Sequence, residues 1–462
     1  MELEVIKKLI KDNSSNHANF IVKASEGRRY YEGDTDILYK KKTDEDIDNP
    51  LRNADNRIPA NYHGLLVDQK AAYMLTYPPT FDVGNKNANK LVTEVLGDEF
   101  PKVCKDLCID AANTSKAWLH LWRSEGNRFE YGVVPSEQII PLYSSDLKKR
   151  LIAVLRVYDS VDNVGENYVV YEYWTEKECY AYRKQSNKTI DEGLHPYNMF
   201  TSFIVDTNTT ELSNQYTHDF GEVPFIEFPN NHIGTNDLKK VKKFVDVYDK
   251  IFSGFINDID DIQEIIFVLT NYGGTNLKTF LQELKKRKVV DMQSDGADEK
   301  TGLDTITIDI PVEAREKVLN ICEKQIYKQG QGVDPNPETF GNASGVALEY
   351  LYSLLELKAG FTETEFRLGF GKLVRMICKT YGIKVGTIIQ TWTRNKIRND
   401  AETADIASKS KGVISDETIV KNHPWVDNPE DEMMRLKESE KELQFNLDNI
   451  PGTEAGDEEN EE

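Results

Sequence analysis

The stretch NDLKKVKKFVDVYDKIFSGFINDIDDI (236–262) decides how the rest of the chain is read. Leu238, Val241, Val245, Tyr248, Phe252, Phe255, Ile259 and Ile262 recur at spacings of three and four. That period predicts one continuous helix of about 25 residues, near 40 Å long at 1.5 Å per residue, with an apolar stripe along it. Lys239, Lys240, Lys243, Asp246, Asp249, Asp258 and Asp261 read as its solvated face. A striped helix must bury its stripe against something.

Downstream, the pattern predicts a small α/β insert. IIFVLTNYGG (265–274), VVDMQ (289–293) and DTITIDIP (304–311) read as strands, and NLKTFLQELKKRK (276–288) as a helix. VEAREKVLNICEKQIYKQ (312–329) reads as a second long helix. The segment from Gly332 to Ala343 is rich in Gly, Pro and Asn and reads as a loop. Ser344 is suited to cap a helix from Gly345 to Tyr381, with Phe366, Phe370, Leu373, Val374 and Ile377 on one face and Gly360 as an expected kink. Identical neighbours in a ring would bury such stripes, because a heterologous interface that closes generates cyclic symmetry. The spacing allows this arrangement without requiring it.

Upstream, residues 1–30 read as a helix with Val5, Ile6, Leu9 and Ile10 on one side, and YYEGDTDILYKKK (30–42) as a turn and an extended arm. Residues 56–79 read as a helix stopped by Pro78 and Pro79, and 86–115 as helical again. From Ala117 the period changes to that of strands. AWLHLWRSEGNRFEYGVV predicts a hairpin turning at Gly126–Asn127, and β-branched and aromatic residues continue to about residue 230. IKVGTIIQTW (383–392) reads as one more strand, and the stretch from Ile414 as helical. The fold class expected is α+β, predominantly helical.

The composition narrows the possibilities. A chain of 462 residues with 39% hydrophobic content supports two to four domains with real cores. A net charge of −21 argues against a tight phosphate clamp. MELEVIKKLIKDNSSN has no apolar signal core and no long apolar run occurs, so a cytosolic origin and no membrane are expected. Five scattered cysteines favour reduced thiols; Cys104 and Cys108 stand one helical turn apart, but no second pair completes a zinc set.

Catalytic signatures fail. GFGKL (369–373) has Phe366 where a P-loop needs glycine and Leu373 where it needs Ser or Thr. GQG (330–332) lacks a third glycine and follows a helix rather than a strand. His63 reads as a packed histidine. NDIDDIQE (257–264) is the densest carboxylate set on a helix; a solvated or channel-facing strip outweighs a metal site there. No catalytic residue, metal or cofactor is therefore expected.

In the order and spacing of its segments, the sequence resembles the portal proteins of tailed bacteriophages, in the branch typical of long-tailed phages of Gram-positive hosts. YYEGDTDIL resembles the family's N-terminal arm. NYHGLLVDQKAAYMLTYPPTF resembles its proline-terminated helix, with Met74 departing from the pattern. PSEQIIPLYSSDLKKRLIAVLRVY resembles its central β segment. ASGVALEYLYSLLELKA resembles the opening of the long helix after the tunnel loop, and ISDETIVKNHPWVDNPEDEMMRL its C-terminal helices.

The resemblance implies a portal fold with wing, stem, clip and crown. The wing maps to 1–235, the stem to 236–264 and 312–330, the clip to 265–311 and the tunnel loop to 331–343. A long kinked helix and wing strand occupy 344–393, the crown 394–450, and an acidic disordered tail 451–462. It further implies a ring of twelve subunits at one capsid vertex of the virion, assembled in the host cytoplasm. Double-stranded DNA would pass through it, and terminase, a head–tail connector, and major capsid and scaffolding proteins would be its partners. The loop would present Val333, Asp334, Pro335, Asn336, Pro337, Glu338, Thr339 and Phe340 to the channel. Lys239, Lys243, Asp258, Asp261, Lys285, Lys286, Arg287 and Lys288 are candidate channel or clip charges. The alternatives from other classes are a metal-dependent DNA-processing enzyme using Asp258 and Asp261, and another minor virion head protein.

Overall fold

The computed structural model describes residues 2–41, 54–124, 126–204, 209–262, 266–270, 302–306, 310–335, 345–395, 400–423, 426 and 431–439. The expected helix 276–288, the strand 289–293, the loop residues 336–343, Ser344 and the acidic tail lie outside them. The chain divides into two compact units, residues 1–334 with 354–395, and residues 335–353 with 396–462.

The first unit opens with helix α1 (Leu3–Tyr31). It buries Ile6, Ile10, Ala24 and Tyr30, while Val5, expected beside them, is 43% exposed. Gly27 is required by a close approach: a Cβ there would lie 2.1 Å from the carbonyl oxygen of Asn113. The following arm is not extended throughout, because residues Asp36–Tyr39 form a 3₁₀ turn. Helix α2 (Tyr62–Leu75) starts later than its composition suggests, where the Asn61 side chain caps the Gly64 N–H. After Pro78 and Pro79 comes the short strand β1 (Thr80–Asp82). The predicted helix at 86–115 is two helices, α3 (Lys86–Leu96) and α4 (Phe100–Thr114). They are parted at Gly97, whose φ of 63° no ordinary helical residue adopts.

The β-rich portion forms as read. Strands β2 (Lys116–Arg123) and β3 (Phe129–Val134) make the hairpin, with Gly126 and Asn127 both at positive φ. Strands β4 (Ile139–Tyr143), β5 (Leu151–Val161), β6 (Asn167–Trp174) and β7 (Glu178–Gln185) follow as an antiparallel meander, with β8 (His195–Pro196) on β7. Strands β9 (Phe200–Ile204) and β10 (Thr209–Ser213) pair with each other. β11 (Gln215–Thr217) adds to β7, and β12 (Phe225–Pro229) adds to β2. One face of the meander packs with β2, β3 and β12 around Trp118, Val154, Trp174 and Phe225. Its other face receives Ile6 and Ile10 of α1, against Leu155, Tyr171 and Tyr182. Alternating side chains thus serve two cores.

Helix α5 (Leu238–Ile262) is the striped helix. Strands β13 (Ile266–Thr270) and β14 (Gly302–Ile306) then pair antiparallel. Helix α6 (Val312–Gly330) returns along α5, and helix α7 (Gly345–Thr380) continues through Gly360. Phe366, Phe370, Leu373, Val374 and Ile377 are all fully buried. GFGKL lies inside α7, where a Cβ on Gly369 would meet the Phe228 ring at 2.5 Å. Strand β15 (Ile389–Thr391), shorter than expected, closes on β1. In the second unit, helices α8 (Asp400–Lys409) and α9 (Asp416–Asn422) precede a helical stretch at 431–439. Ser415 caps α9.

The near half of the α5 stripe is covered by its own chain. Leu238, Val241 and Val245 pack with Tyr30 of α1, Leu66 of α2, and Ile326 and Tyr327 of α6. The other face departs from expectation, because Asp249 is fully buried rather than solvated. It belongs to a ladder of side chains one helical turn apart. Asp249, Ser253, Asn257 and Asp261 accept from the backbone N–H groups of Ala60, Ile58, Asn56 and Ala54, at 2.9, 3.0, 2.6 and 2.9 Å. Two residues of extended chain advance about 6.6 Å and four residues of helix about 6.0 Å, so the two periods match. The helix side chains thus act as a partner strand for residues 54–60, and this is why α2 begins only at Tyr62.

Burial pushes the Asp249 carboxyl up to about 6, against the bonds from Thr35 and Ala60 that favour its ionised form. A folded-state pKa above the unfolded one gives stability that is present below the unfolded value and lost as pH rises through the folded one. Asn at this position stays neutral and can still accept from Ala60. Asp249→Asn is therefore expected to raise unfolding free energy by about 1–3 kcal/mol near about pH 8, with a gain that shrinks toward about pH 4. Urea unfolding across that range checks it; a gain independent of pH contradicts it.

Candidate functional site

The start of the predicted loop is held by a buried polar cluster. Lys70 on α2 and Lys358 on α7 each place Nζ 3.1 Å from Oδ2 of Asp237, just ahead of α5. Oδ1 of Asp237 accepts from Asn230 Nδ2 at 2.8 Å. Lys358 also donates to the Gly330 carbonyl at 3.0 Å, at the negative end of α6. Burial alone would raise the Asp237 pKa, but the two ammonium groups hold it well below the usual carboxylate range. Burial lowers Lys358, and Asp237 opposes that shift. The cluster fixes α2, α5, α6 and α7 to one another. His63 lies nearby on α2, sharing a 2.9 Å hydrogen bond with Asn113, and burial pushes it down to about 4. It is a neutral core histidine.

Val333 belongs to this packed root: it is only 8% exposed and lies against α2. Asp334 and Pro335 continue toward solvent. Asn336, Pro337, Glu338, Thr339 and Phe340 lie outside the described residues, as do Lys285, Lys286, Arg287 and Lys288. Lys239 and Lys243 are exposed on the first turns of α5.

Within 257–264, Asp258, Asp260 and Asp261 have structural partners. Asp258 pairs with Arg315 of α6, Asp260 accepts from Asn56 Nδ2 at 2.6 Å, and Asp261 closes the ladder to Ala54. Among the described residues, no group of three His, Cys, Asp or Glu side chains could hold a metal ion. Cys104 and Cys108 are fully buried thiols, and burial raises both pKa values. No helix among the described residues is long and apolar enough to cross a membrane.

Sequence reasoning missed Lys70, Asn230, Asp237 and Lys358. A lysine among the apolar residues of α2 (Leu66, Val67, Ala71 and Met74) was the available signal. It also missed Gln69, whose side chain bonds the backbone of Val333.

The profile of the family described as phage portal protein, SPP1 Gp6-like, matches residues 10–444. A portal protein of Clostridium phage phiCD119 is 42% identical over 460 residues, covering 96% of this chain and 97% of that one. The portal protein of Bacillus phage SPP1 is 32% identical over 453 residues, covering 94% and 87%. Among solved structures, the neck of a native GTA particle computed with C12 symmetry aligns over 78% of this chain and 88% of that chain. Its TM-score of 0.43 and identity of 12% are too low to match individual elements. With residues 10–444 inside the family's profile and two relatives above 30% identity along nearly its whole length, the chain belongs to the SPP1 Gp6-like family of phage portal proteins.

Proposed function

We propose that twelve copies of this chain close into a ring at one capsid vertex of a virion, assembled in the host cytoplasm. The ring forms the channel through which double-stranded DNA is packaged and ejected. In this reading residues 1–235 are the wing, 236–264 and 312–330 the stem, 265–311 the clip and 394–450 the crown. The clip docks terminase and later a head–tail connector, and the wing and crown meet major capsid and scaffolding proteins. The observation that carries the reading is the family match along residues 10–444.

The geometry supports it through apolar surface that the protomer leaves in water. On α7, Leu354, Leu357, Phe361 and Leu368 recur at helical spacing on the face away from the core, with Leu357 55%, Phe361 56% and Leu368 71% exposed. On α6, Val318 and Ile321 are exposed, and on α5 so are Val247 and Ile259. Fully covering a leucine-sized side chain contributes about 1.5–3 kcal/mol, so a neighbour with matching surface is strongly favoured.

Charge supports a conduit rather than a clamp. Twelve times −21 is roughly −250 per ring, which repels the phosphate backbone and limits friction. Lys239, Lys243 and the 285–288 cations are local exceptions in this reading. Beyond the anchored Val333, the loop from Asp334 to Phe340 contacts DNA as it moves, and ATP hydrolysis belongs to the terminase.

Purified protein is expected to give toothed rings with an axial hole in negative stain, and native mass spectrometry should find a closed oligomer. Monomer or dimer alone across concentrations would remove the ring. Replacing residues 334–340 by a short Gly-Ser segment, with Val333 left in place, is expected to leave ring assembly intact and sharply reduce DNA packaging. Unimpaired packaging would remove the role of the loop.

A further inference from the structure

The GQG triplet at 330–332 matches no nucleotide-binding signature, and its glycines have another cause. At the end of α6, Gln331 takes a left-handed conformation with φ of 56° and turns the chain onto α2. A Cβ on Gly330 would lie 2.5 Å from Leu66 Cδ1. One on Gly332 would lie 2.2 Å from Leu66 Cδ2 and 2.8 Å from Gln69 Oε1. The backbone therefore runs across α2 more closely than a side chain permits.

At that crossing the half-buried Gln69 engages both polar groups of Val333. Its Nε2 donates to the Val333 carbonyl at 2.7 Å, and its Oε1 accepts from the Val333 N–H at 3.0 Å. A primary amide paired in this way offers what a neighbouring strand would offer. Three residues upstream, Lys358 holds the Gly330 carbonyl from α7, the helix into which the chain later returns. The outgoing chain is thus gripped from α2 and α7 within four residues.

We propose that Gln69 is a positioning residue: its two-point clamp on Val333 fixes where and in which direction the chain leaves the core after α6. The start of the 334–344 segment therefore moves together with α2. The action of that segment on DNA rests on the portal reading above; the clamp does not.

Hydrogen exchange read by mass spectrometry on peptides spanning Tyr327–Pro335 tests this in the assembled full-length protein, without DNA. Gln69→Met keeps the side-chain length and loses both bonds, so the Val333 amide is expected to exchange at least about tenfold faster than in wild type. Gln69→Glu keeps an acceptor for the Val333 N–H and, while protonated, also a donor for its carbonyl. Once ionised, it sets a carboxylate against that carbonyl. Its exchange relative to wild type is expected to be near unity at about pH 3.5 and to rise toward about pH 6, across the ordinary glutamate titration near about 4.3, with chemical exchange cancelling in the ratio. Wild-type exchange in Gln69→Met, or a pH-independent ratio in Gln69→Glu, would overturn the clamp. Because this readout needs no DNA, its failure is separable from failure of the portal reading, which the ring images and native mass spectrometry decide.

Discussion

Asp237 stands between two buried ammonium groups, and the convergence of the long helices depends on it. Lys70 comes from α2, Lys358 from α7, and Asp237 lies at the root of α5. One carboxylate against two lysines leaves an excess positive charge in the interior, which is costly unless other dipoles face it. The Gly330 carbonyl, at the negative end of α6, and the side-chain oxygen of Asn230 supply those dipoles. Neither an apolar replacement nor a single pair could join four elements this way. The cluster requires each helix at one rotation and one height, so it fixes the origin of the segment that leaves α6.

A second constraint is the match between helix and strand repeats along α5. Among the described residues no strand lies beside the segment 54–60, yet four of its N–H groups are satisfied by side chains one helical turn apart. Backbone donors held near a packed helix need partners, and here Asp, Asn and Ser provide them. Within the acidic run that suggests a metal site in the sequence, Asn257 and Asp261 belong to this acceptor row, Asp260 accepts from the Asn56 side chain and Asp258 pairs with Arg315. Asp249 tolerates burial because two donors face it.

The periodic part of the fold was legible. The α5 stripe, the hairpin at Gly126–Asn127 and the buried face of Phe366 to Ile377 follow from spacings of three, four or two. The failures share a physical cause. Asp249 looked solvated because it is charged, although it borders the Val245 and Tyr248 side of the helix, where only a paired polar group can sit. Residues 56–61 looked helical because their composition continues smoothly into α2; the bonds that keep them extended come from residues about 200 positions away. Gln69 carries no pattern at all, since a side chain that reads backbone is indifferent to the identity of its partner. The only trace of that contact was the GQG triplet, which records close approach rather than phosphate binding.

The division of apolar surface bears on how a ring could be built from such a chain. The inner end of α5 is consumed within the protomer, packed by α1, α2 and α6, so the protomer has a core of its own without a neighbour. What remains exposed on α5, α6 and α7 lies away from that core. Folding and association then draw on different residues. A chain of this kind can fold first and associate afterwards, and its outer faces can be tuned for assembly at little cost to the protomer. The anchoring of Val333 by Gln69 lies wholly on the folding side of this division. In the proposed ring, each copy would carry its own clamp into the assembly, and every loop would leave its core at the same point relative to α2.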